Sequence, residues 1–563
     1  MDIAIVGPDP AAAALRGAFS DVDVNAMEVT VDQLDGFDFG VVVGTAGDAA
    51  FETANDALGS WAAVEVGGVG GRPVEGLHAA VSLFSPDSGC YDCLCDRAAA
   101  TSADGAEPRG TKSAVRFAGA LAGRRVIRQL SGEDLAGTTV EVPGRERGFL
   151  PSPGCDCGAR PTGFELSYRE VDLNDAVARM DRAVDDRLGP VAEVGERESF
   201  PVPYYVARTA DTTRFSDARC AEFGAGVAAD WNSAYAKAIG EALERYCAGV
   251  YRASEWRTAP TEGVIDAVPV DRFVRPDDAP TPAADERVAW VDGYDLASGE
   301  SASLPAAFVH FPPPGETRYK PPITTGLALG NSTVEAALSG LYETVERDAS
   351  MLAWYSTFDP MTLDVDDERF DALRRRARAE ALSVTPLLLT QDVDVPVVGV
   401  AVHRDDEWPR FAMGSAASLD AAGAAANALA EALQNWTELR SMGPDAAAEE
   451  EGAIAEYAGF PDRAREFLAG GAAVPAAELG GDADGEAELE TLLARLGDAG
   501  LDAYAARLTT RDVADLGFEA VRVLVPEAQP LFTGEPFFGD RLDSVPESMG
   551  FEPRPDRAYH PFP

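Results

Sequence analysis

The sequence predicts a mixed architecture, a small α/β unit followed by a large α+β region. Three observations lead there. At 563 residues the chain exceeds what one hydrophobic core ordinarily supports. From Met1 to about Phe84, short apolar runs (IAIVG, FGVVVG, AAVEVGG) alternate with helical stretches such as DPAAAALRGAF and DAAFETANDALGSW, the rhythm of parallel strands joined by helices. Farther along, proline-rich connections and isolated strands surround three long helices that share one polar spacing. We place the boundary near Pro161, giving units 1–160 and 161–563.

Gly7 follows the first strand, but IVGPDPAAAA is not a Gly-x-Gly-x-x-Gly turn, so the first unit reads as structural rather than nucleotide-binding. Five of the seven cysteines lie in GCYDCLCD and GCDCGA. Paired close cysteines in a reducing compartment form metal sites rather than disulfides, so Cys90, Cys93, Cys155 and Cys157 are the expected ligands of one structural Zn²⁺. Cys95 is the alternative ligand or a spare thiol for handling sulfur. Thr101 to Phe149, between the cysteine pairs, reads as mostly helical.

From Glu165, ELSYREVDLNDAVARMDRAVDDRLGPV reads as a strand, a cap at Asn174 or Asp175, and a helix closed by Gly189-Pro190. Pro260 to Pro314 is proline-rich around the strand RVAWVDGYDL, and FPPPGETRYKPP stiffens the approach to the stretch that organises the chain. That stretch, TTGLALGNSTVEAALSGLYETVERDASMLAWY, reads as a loop ending at Gly330, a cap at Asn331 or Ser332, and an amphipathic helix. Asn331, Glu335, Glu343 and Glu346 share roughly a third of its circumference, while Leu338, Leu341, Val345 and Leu352 supply packing. An earlier helix, Asn232 to Tyr251, repeats the formula. There Glu241, Glu244 and Arg245 match Glu343, Glu346 and Arg347, with Ser233 and Lys237 on the same side. A third, Asp420 to Arg440, carries Glu431, Gln434, Glu438 and Arg440. Between the last two, ERFDALRRRARAEAL is an amphipathic helix with solvated arginines, followed by the strands VTPLLLTQDV and VPVVGVAVHR. Residues 441–500 are rich in alanine, glycine and acids and read as a surface insertion; DAYAARLT and AVRVLVPE return to strands before the proline-rich tail 551–563.

Clustered carboxylates repel unless a cation lies between them, and Mg²⁺ takes oxygen ligands and bridges phosphates. Lys237, Arg245 and Arg347 add the cations a polyphosphate needs. The three helices therefore predict a Mg²⁺-nucleotide site, and no Gly-x-x-x-x-Gly-Lys-Ser/Thr loop offers a P-loop instead. His78, His310, His403 and His560 are scattered and support no triad; only His560, in the terminal HPFP, merits a test.

These three segments, in this order, resemble the signature blocks of the YcaO superfamily over roughly Gly163 to Pro563. The resemblance implies binding of ATP and activation of peptide-backbone amides by phosphorylation of the amide oxygen. It implies Mg²⁺ on Glu241, Glu244, Glu335, Glu343 and Glu346. It assigns phosphate contact or ordering of the acids to Ser233, Lys237, Arg245, Asn331 and Arg347, with Gln434 and Glu438 completing the nucleotide pocket. A proline-rich C-terminus reaches the active site in peptide-modifying members, which gives Pro561 and Pro563 a role in catalysis. Ala225 stands in Gly-Ala-Gly where many members have lysine, a contact that Lys320 could replace. The first unit, with its strands and cysteines, resembles a degenerate ThiF-like domain of the kind that presents substrate in azoline-forming cyclodehydratases. An intramolecular Cys, Ser or Thr nucleophile would give an azoline, external sulfide a thioamide. No winged-helix leader-binding segment is visible ahead of the first strand, which leaves thioamidation open. The alternative function, supported by Ala225, is an accessory protein that binds ATP and assists another protein-modifying enzyme.

Composition narrows the setting. With 95 acidic against 47 basic residues, the net charge is −48 and the pI about 4.3, and the only lysines are Lys112, Lys237 and Lys320. So acidic and lysine-poor a surface suits a halophilic, salt-loaded cytoplasm, where screening removes the cost of self-repulsion. The same charge excludes nucleic acid as a partner. MDIAIVGPDP lacks the features of a cleavable signal, and no apolar run approaches a membrane span, so the expectation is a cytoplasmic protein. The expected partners are a peptide or protein substrate, a sulfur donor or accessory protein, and a second copy as a homodimer.

Overall fold

Alternating apolar runs build the first sheet as the sequence predicts. In the computed structural model, which describes residues 1–101, 107–158, 163–450 and 452–562, Asn25–Glu28, Asp2–Val6, Phe39–Thr45 and Trp61–Val66 pair in parallel in that order. Ala79–Phe84, Thr138–Val142 and Glu146–Gly148 extend the sheet antiparallel. Helices Ala11–Phe19 and Lys112–Leu130 cover one face and Ala50–Ala57 and Tyr91–Thr101 the other, which is why the central strands are apolar on both faces, with Glu65 and Ser82 as buried exceptions. The stretch expected to be mostly helical is so only in part. Lys112–Leu130 is a helix, but the β-branched TTVEV forms a strand instead. The boundary placed near Pro161 falls outside the described residues.

Three further sheets follow. One joins Val191–Glu198, Tyr204–Thr209 and Phe223–Val227. The second runs Arg257–Ala259, Val288–Asp295, Tyr504–Arg507, Glu519–Leu524, Leu327–Gly330, with Ser301–Pro305 also on Val288–Asp295. The third runs Phe411–Ala417, Val397–His403, Ser383–Leu388, Met361–Asp364, Ala473–Pro475. Each has an edge strand that leads directly into one acid-bearing helix: Phe223–Val227 into Trp231–Gly249, Leu327–Gly330 into Thr333–Trp354, and Phe411–Ala417 into Ala421–Ala447. The last helix breaks at Gly443 (φ 81°), before Pro444.

Three sequence expectations shift. The run ending at Gly330 is a strand rather than a loop, and Ser332, not Asn331, is the cap of its helix. Glu165 to Val171 forms no strand, and the helix behind it is Leu173–Met180, capped by Asp172. Residues 441–500, read as a surface insertion, reach the core. Helix Gly485–Asp498 buries Leu489, Leu492 and Leu496 beside the second acid helix, and Ala473–Pro475 completes the third sheet.

A buried charge network ties the first sheet's unit to the rest. Arg97, on the cysteine-bearing helix, pairs with Asp512 and donates to Tyr246 Oη at 3.0 Å and to the carbonyl oxygens of Leu150 (3.3 Å) and Pro151 (2.7 Å). Tyr246 Oη donates in turn to Asp512 at 2.8 Å, and all three residues are at most 1% exposed. Removing one member of such a pair leaves the other charged and dry. Asp512→Ala should cost about 3–5 kcal/mol in denaturant unfolding, and Arg97→Met in the same background should recover much of that loss.

Candidate functional site

One construction is repeated three times. A capping side chain starts each helix: Asp230 accepts from Ser233 N–H (2.9 Å), Ser332 from Glu335 N–H (3.3 Å), Asp420 from Gly423 N–H (3.0 Å). Eleven residues beyond each cap stands a glutamate, Glu241, Glu343 or Glu431. Each of these carboxylates accepts a hydrogen bond from backbone at the preceding edge strand or its approach: Ala225 N–H to Glu241 (2.6 Å), Gly326 N–H to Glu343 (3.0 Å), Ser415 N–H to Glu431 (2.7 Å). Such contact needs strand and helix backbones pressed together. A Cβ on Gly226 would stand 2.2 Å from Ala234 O, and one on Gly414 2.5 Å from Ala428 O, so only glycine permits the approach. The Gly-Ala-Gly motif is thus a packing surface, with Ala225 between its two glycines.

Three and four residues farther on, the copies diverge. The first two helices carry Glu244-Arg245 and Glu346-Arg347, the third Gln434-Asn435. Arg245 donates to Phe223 O at 2.6 Å and Asn435 to Met413 O at 2.9 Å, the same carbonyl two residues before each N–H. Arg245 also pairs with Glu241. Ser415 links two copies, its hydroxyl donating to Glu346 at 2.6 Å while its N–H serves Glu431. Glu438 accepts from Gln434 (3.0 Å) and from Tyr204 Oη (2.7 Å).

Burial dominates the electrostatics. It pushes the Glu244 carboxyl well above the usual carboxylate range, with Glu241 and Glu343 adding repulsion. Glu241 and Glu346 are raised for the same first reason, and Glu431 is pushed up to about 7 by burial and by Glu346. Burial opposes the charge of Arg347, yet Glu346, Glu431 and Glu343 raise it overall. Arg522 is 3% exposed and lowered to about 10 by burial, partly offset by Glu343 and Glu244.

Of the expected site residues, Lys237, Glu241, Glu244, Asn331 and Glu335 line one cleft of about 370 Å³ with Ala225. In it Asn331 donates to Glu335 (3.0 Å) and accepts from Arg179 (2.6 Å), while Lys237 donates to Asn427 (3.2 Å). Ser233 serves the cap through its N–H and is not among the lining residues. Lys320 lies elsewhere, in a smaller cavity with Arg347 and Arg522. Pro561 lines a cavity of about 210 Å³ with Met413, Asn435 and Phe532; Pro563 lies outside the described residues. His560 is buried, its Nε2 2.8 Å from Phe532 O, and burial lowers it to about 4. The sequence does not single out Ser415, Arg522, Asn435 or Tyr204, and it places Glu431 on the third helix without assigning it a role. The shared cap-to-glutamate spacing is the signal that finds Glu431.

The cysteine expectation converges. The sulfurs of Cys90, Cys93, Cys155 and Cys157 lie within 4.8 Å of one another, with Cys90–Cys155 and Cys93–Cys157 at 3.5 Å. Tetrahedral ligands at about 2.3 Å from a metal would be about 3.8 Å apart, so the set fits a metal ion. Cys95 lies outside that cluster.

Residues 225–529, more than half of the chain, match the family described as YcaO cyclodehydratase, ATP- and Mg²⁺-binding. The chain belongs to the YcaO family. An uncharacterized protein of Methanothermobacter thermautotrophicus is 30% identical over 227 residues, 38% of this chain and 56% of that protein. The chain spans about half the length of the curated relatives it matches. The fold is similar to that of a heterocyclase in complex with substrate and cofactor (TM-score 0.74, 19% identity, 98% of this chain, 83% of that one). It is also similar to the heterocyclase TruD (TM-score 0.67, 18% identity, 98% and 82%). The repeated strand and helix units thus lie within the YcaO domain, and the likeness of fold extends over the first sheet as well.

A carboxyl raised by folding stabilises the fold in its neutral form. Its contribution is full below the unfolded value and lost as pH rises through the folded one. With divalent metal removed, the melting temperature should therefore fall between about pH 4.5 and pH 7, and Glu431→Gln, which cannot ionise, should flatten that fall in calorimetry.

Proposed function

We propose that this YcaO protein is an ATP- and Mg²⁺-dependent enzyme that activates peptide-backbone amides by O-phosphorylation. The observation that carries the reading is the convergence of three capped helices on one set of half-buried carboxylates, with Glu346 buried among them. Glu244 supports the metal. Among the described residues it accepts no hydrogen bond, yet it lines the cleft with Glu241 and Glu335. An acid so placed is satisfied by a divalent cation with oxygen ligands. Glu241, Glu244, Glu335, Glu343 and Glu346 would hold Mg²⁺, which supplies the charge that lets carboxylates and a triphosphate share a cleft. Lys237, Arg245 and Arg347 would hold phosphate oxygens, with Ser233 and Asn331 at the helix starts. The third helix, with amides where the others carry acid and arginine, suits the uncharged part of the nucleotide through Gln434 and Glu438.

The chemistry follows from the amide. Its carbonyl is a poor electrophile with a poor leaving oxygen; once a nucleophile has added, phosphorylation of that oxygen makes it a good leaving group. A Cys, Ser or Thr side chain of the peptide gives an azoline, which a ThiF-like first unit presenting the substrate favours; sulfide gives a thioamide. Pro561 and Pro563 are read as the tail that closes on the peptide. The four-cysteine cluster is read as a structural Zn²⁺ site. The partners proposed are a peptide substrate, an accessory or sulfur-donor protein, and a second copy of the chain. No helix among the described residues is long and apolar enough to cross a membrane, and the acid excess fits a salt-loaded cytoplasm. Ala225, which puts no cation into the cleft, supports a second reading as an accessory ATP-binding protein.

At high salt, candidate peptides should stimulate phosphate release, and mass spectrometry should find peptides lighter by one water or with oxygen exchanged for sulfur. Glu343→Ala should abolish both. Nucleotide binding without turnover for every peptide would favour the accessory role. Metal analysis should return about one zinc per chain, falling sharply in Cys93→Ser.

A further inference from the structure

A second cavity, of about 40 Å³, is lined by Lys320, Thr344, Arg347, Arg522 and Gln529. Its two arginines act on the acids of the proposed site, Arg522 on Glu343 and Glu244 and Arg347 on Glu346, Glu431 and Glu343. Thr344 and Arg347 follow Glu343 on the same helix, and Gly326, whose N–H serves Glu343, is six residues from Lys320. The space is too small for a nucleotide and matches one small group such as a water, hydroxyl or thiol. Its polar lining is basic, in a chain with twice as many acids as bases.

Lys320 is the unusual member. Its Nζ sits over the rings of Phe308 (5.0 Å) and Phe273 (5.7 Å) and, among the described residues, makes no hydrogen bond or ion pair. Arg522 beside it donates to Thr324 O and Ile323 O at 2.9 Å, while its buried Nε has no partner. An ammonium kept for structure would hold a carboxylate. A half-buried lysine with no acid to hold it, placed beside another cation, suits work done as the neutral amine.

We propose that Lys320 is the proton acceptor for the attacking side chain of the peptide, whose nucleophilic atom enters the cavity shared with Arg347 and Arg522. This rests on the amide-activating reading above. The amine takes the proton of the Cys, Ser or Thr side chain as its sulfur or oxygen bonds to the amide carbon. The π pair of the carbonyl moves to oxygen, and that oxygen takes the phosphoryl group of ATP, releasing ADP. The lysine later returns its proton to solvent. Burial first, and Arg522 second, lower Lys320 to about 7, the range in which a base works best near neutral pH. The charged groups facing it are Arg347 from the second acid helix and Arg522 from the strand; Phe273, Phe308, Ile323 and Gln529 carry none.

Lys320→Arg separates this role from a phosphate contact, because arginine keeps the charge but cannot accept a proton. With short synthetic peptides that each hold one internal cysteine, wild-type modification should rise through about pH 7 to a plateau. Lys320→Arg should lose on the order of 100-fold in kcat and lose that pH limb, with the KM for ATP little changed. Added ethylamine should partly restore Lys320→Ala. Because the chain has three lysines, ¹³C-lysine NMR should show one signal titrating near 7 that disappears in Lys320→Arg. A fully active Lys320→Arg, a variant that keeps kcat but loses ATP affinity, or a Lys320 signal titrating in the ordinary lysine range would overturn the inference and leave the amide-activating reading standing. Wild-type protein that converts none of the peptides would overturn both.

Discussion

A half-buried carboxylate held by a backbone N–H of the preceding strand or its approach is the contact on which the site depends. Ionised carboxylates are expensive to take out of water, and one charge-assisted hydrogen bond offsets only part of that cost. Glu241, Glu343 and Glu431 each receive such a bond, yet Glu241 and Glu431 stay raised, because burial outweighs the single donor. The fold thus orients its acids without neutralising them. What remains is a preference for positive charge at one place, set by the distance at which glycine lets helix and strand approach.

That arrangement was partly legible in the sequence. Helix spacing is local, so the shared faces of Glu241 and Glu244 and of Glu343 and Glu346 followed from 3.6 residues per turn. The partners of those acids are set by which strand lies alongside, and nothing in RVLV announces that Arg522 will turn toward Glu343. Ser415 was hidden in the same way, on a strand whose own pattern only says that it is buried. Alternation misled at ELSYREV. Its backbone runs along the start of the second acid helix, where Ser167 N–H donates to Thr333 Oγ1 and that hydroxyl donates to Glu165 O, so no sheet receives it. Composition misled at 441–500, where few but regularly spaced leucines outweigh the abundant acids, and Tyr342 Oη donates to Glu488 at 2.6 Å.

The first unit meets the acid helices through polar contact as well as apolar packing. Arg511 donates to Cys157 Sγ at 3.1 Å, and the next residue, Asp512, holds Arg97 and Tyr246. Tyr246 lies two residues beyond Glu244. Arg97 also donates to the carbonyls of Leu150 and Pro151, just before Cys155, so the loop that closes the cysteine cluster and the helix that carries Glu241 share one buried network. Position is transmitted well by such a network because an alternative arrangement would leave an unpaired charge in the interior.

Charge is distributed unevenly between surface and site. The chain carries twice as many acids as bases, yet Lys237, Arg245, Arg347, Arg522 and Lys320 gather around the converging helices. In concentrated salt the Debye length shrinks to a few ångströms, about 3 Å at 1 M, so the acids spread over the surface stop acting on one another and on the interior. Charges inside the fold are screened far less. The site therefore keeps its field in a medium that erases the field of the surface, and an acidic exterior puts little constraint on a site that must gather anions.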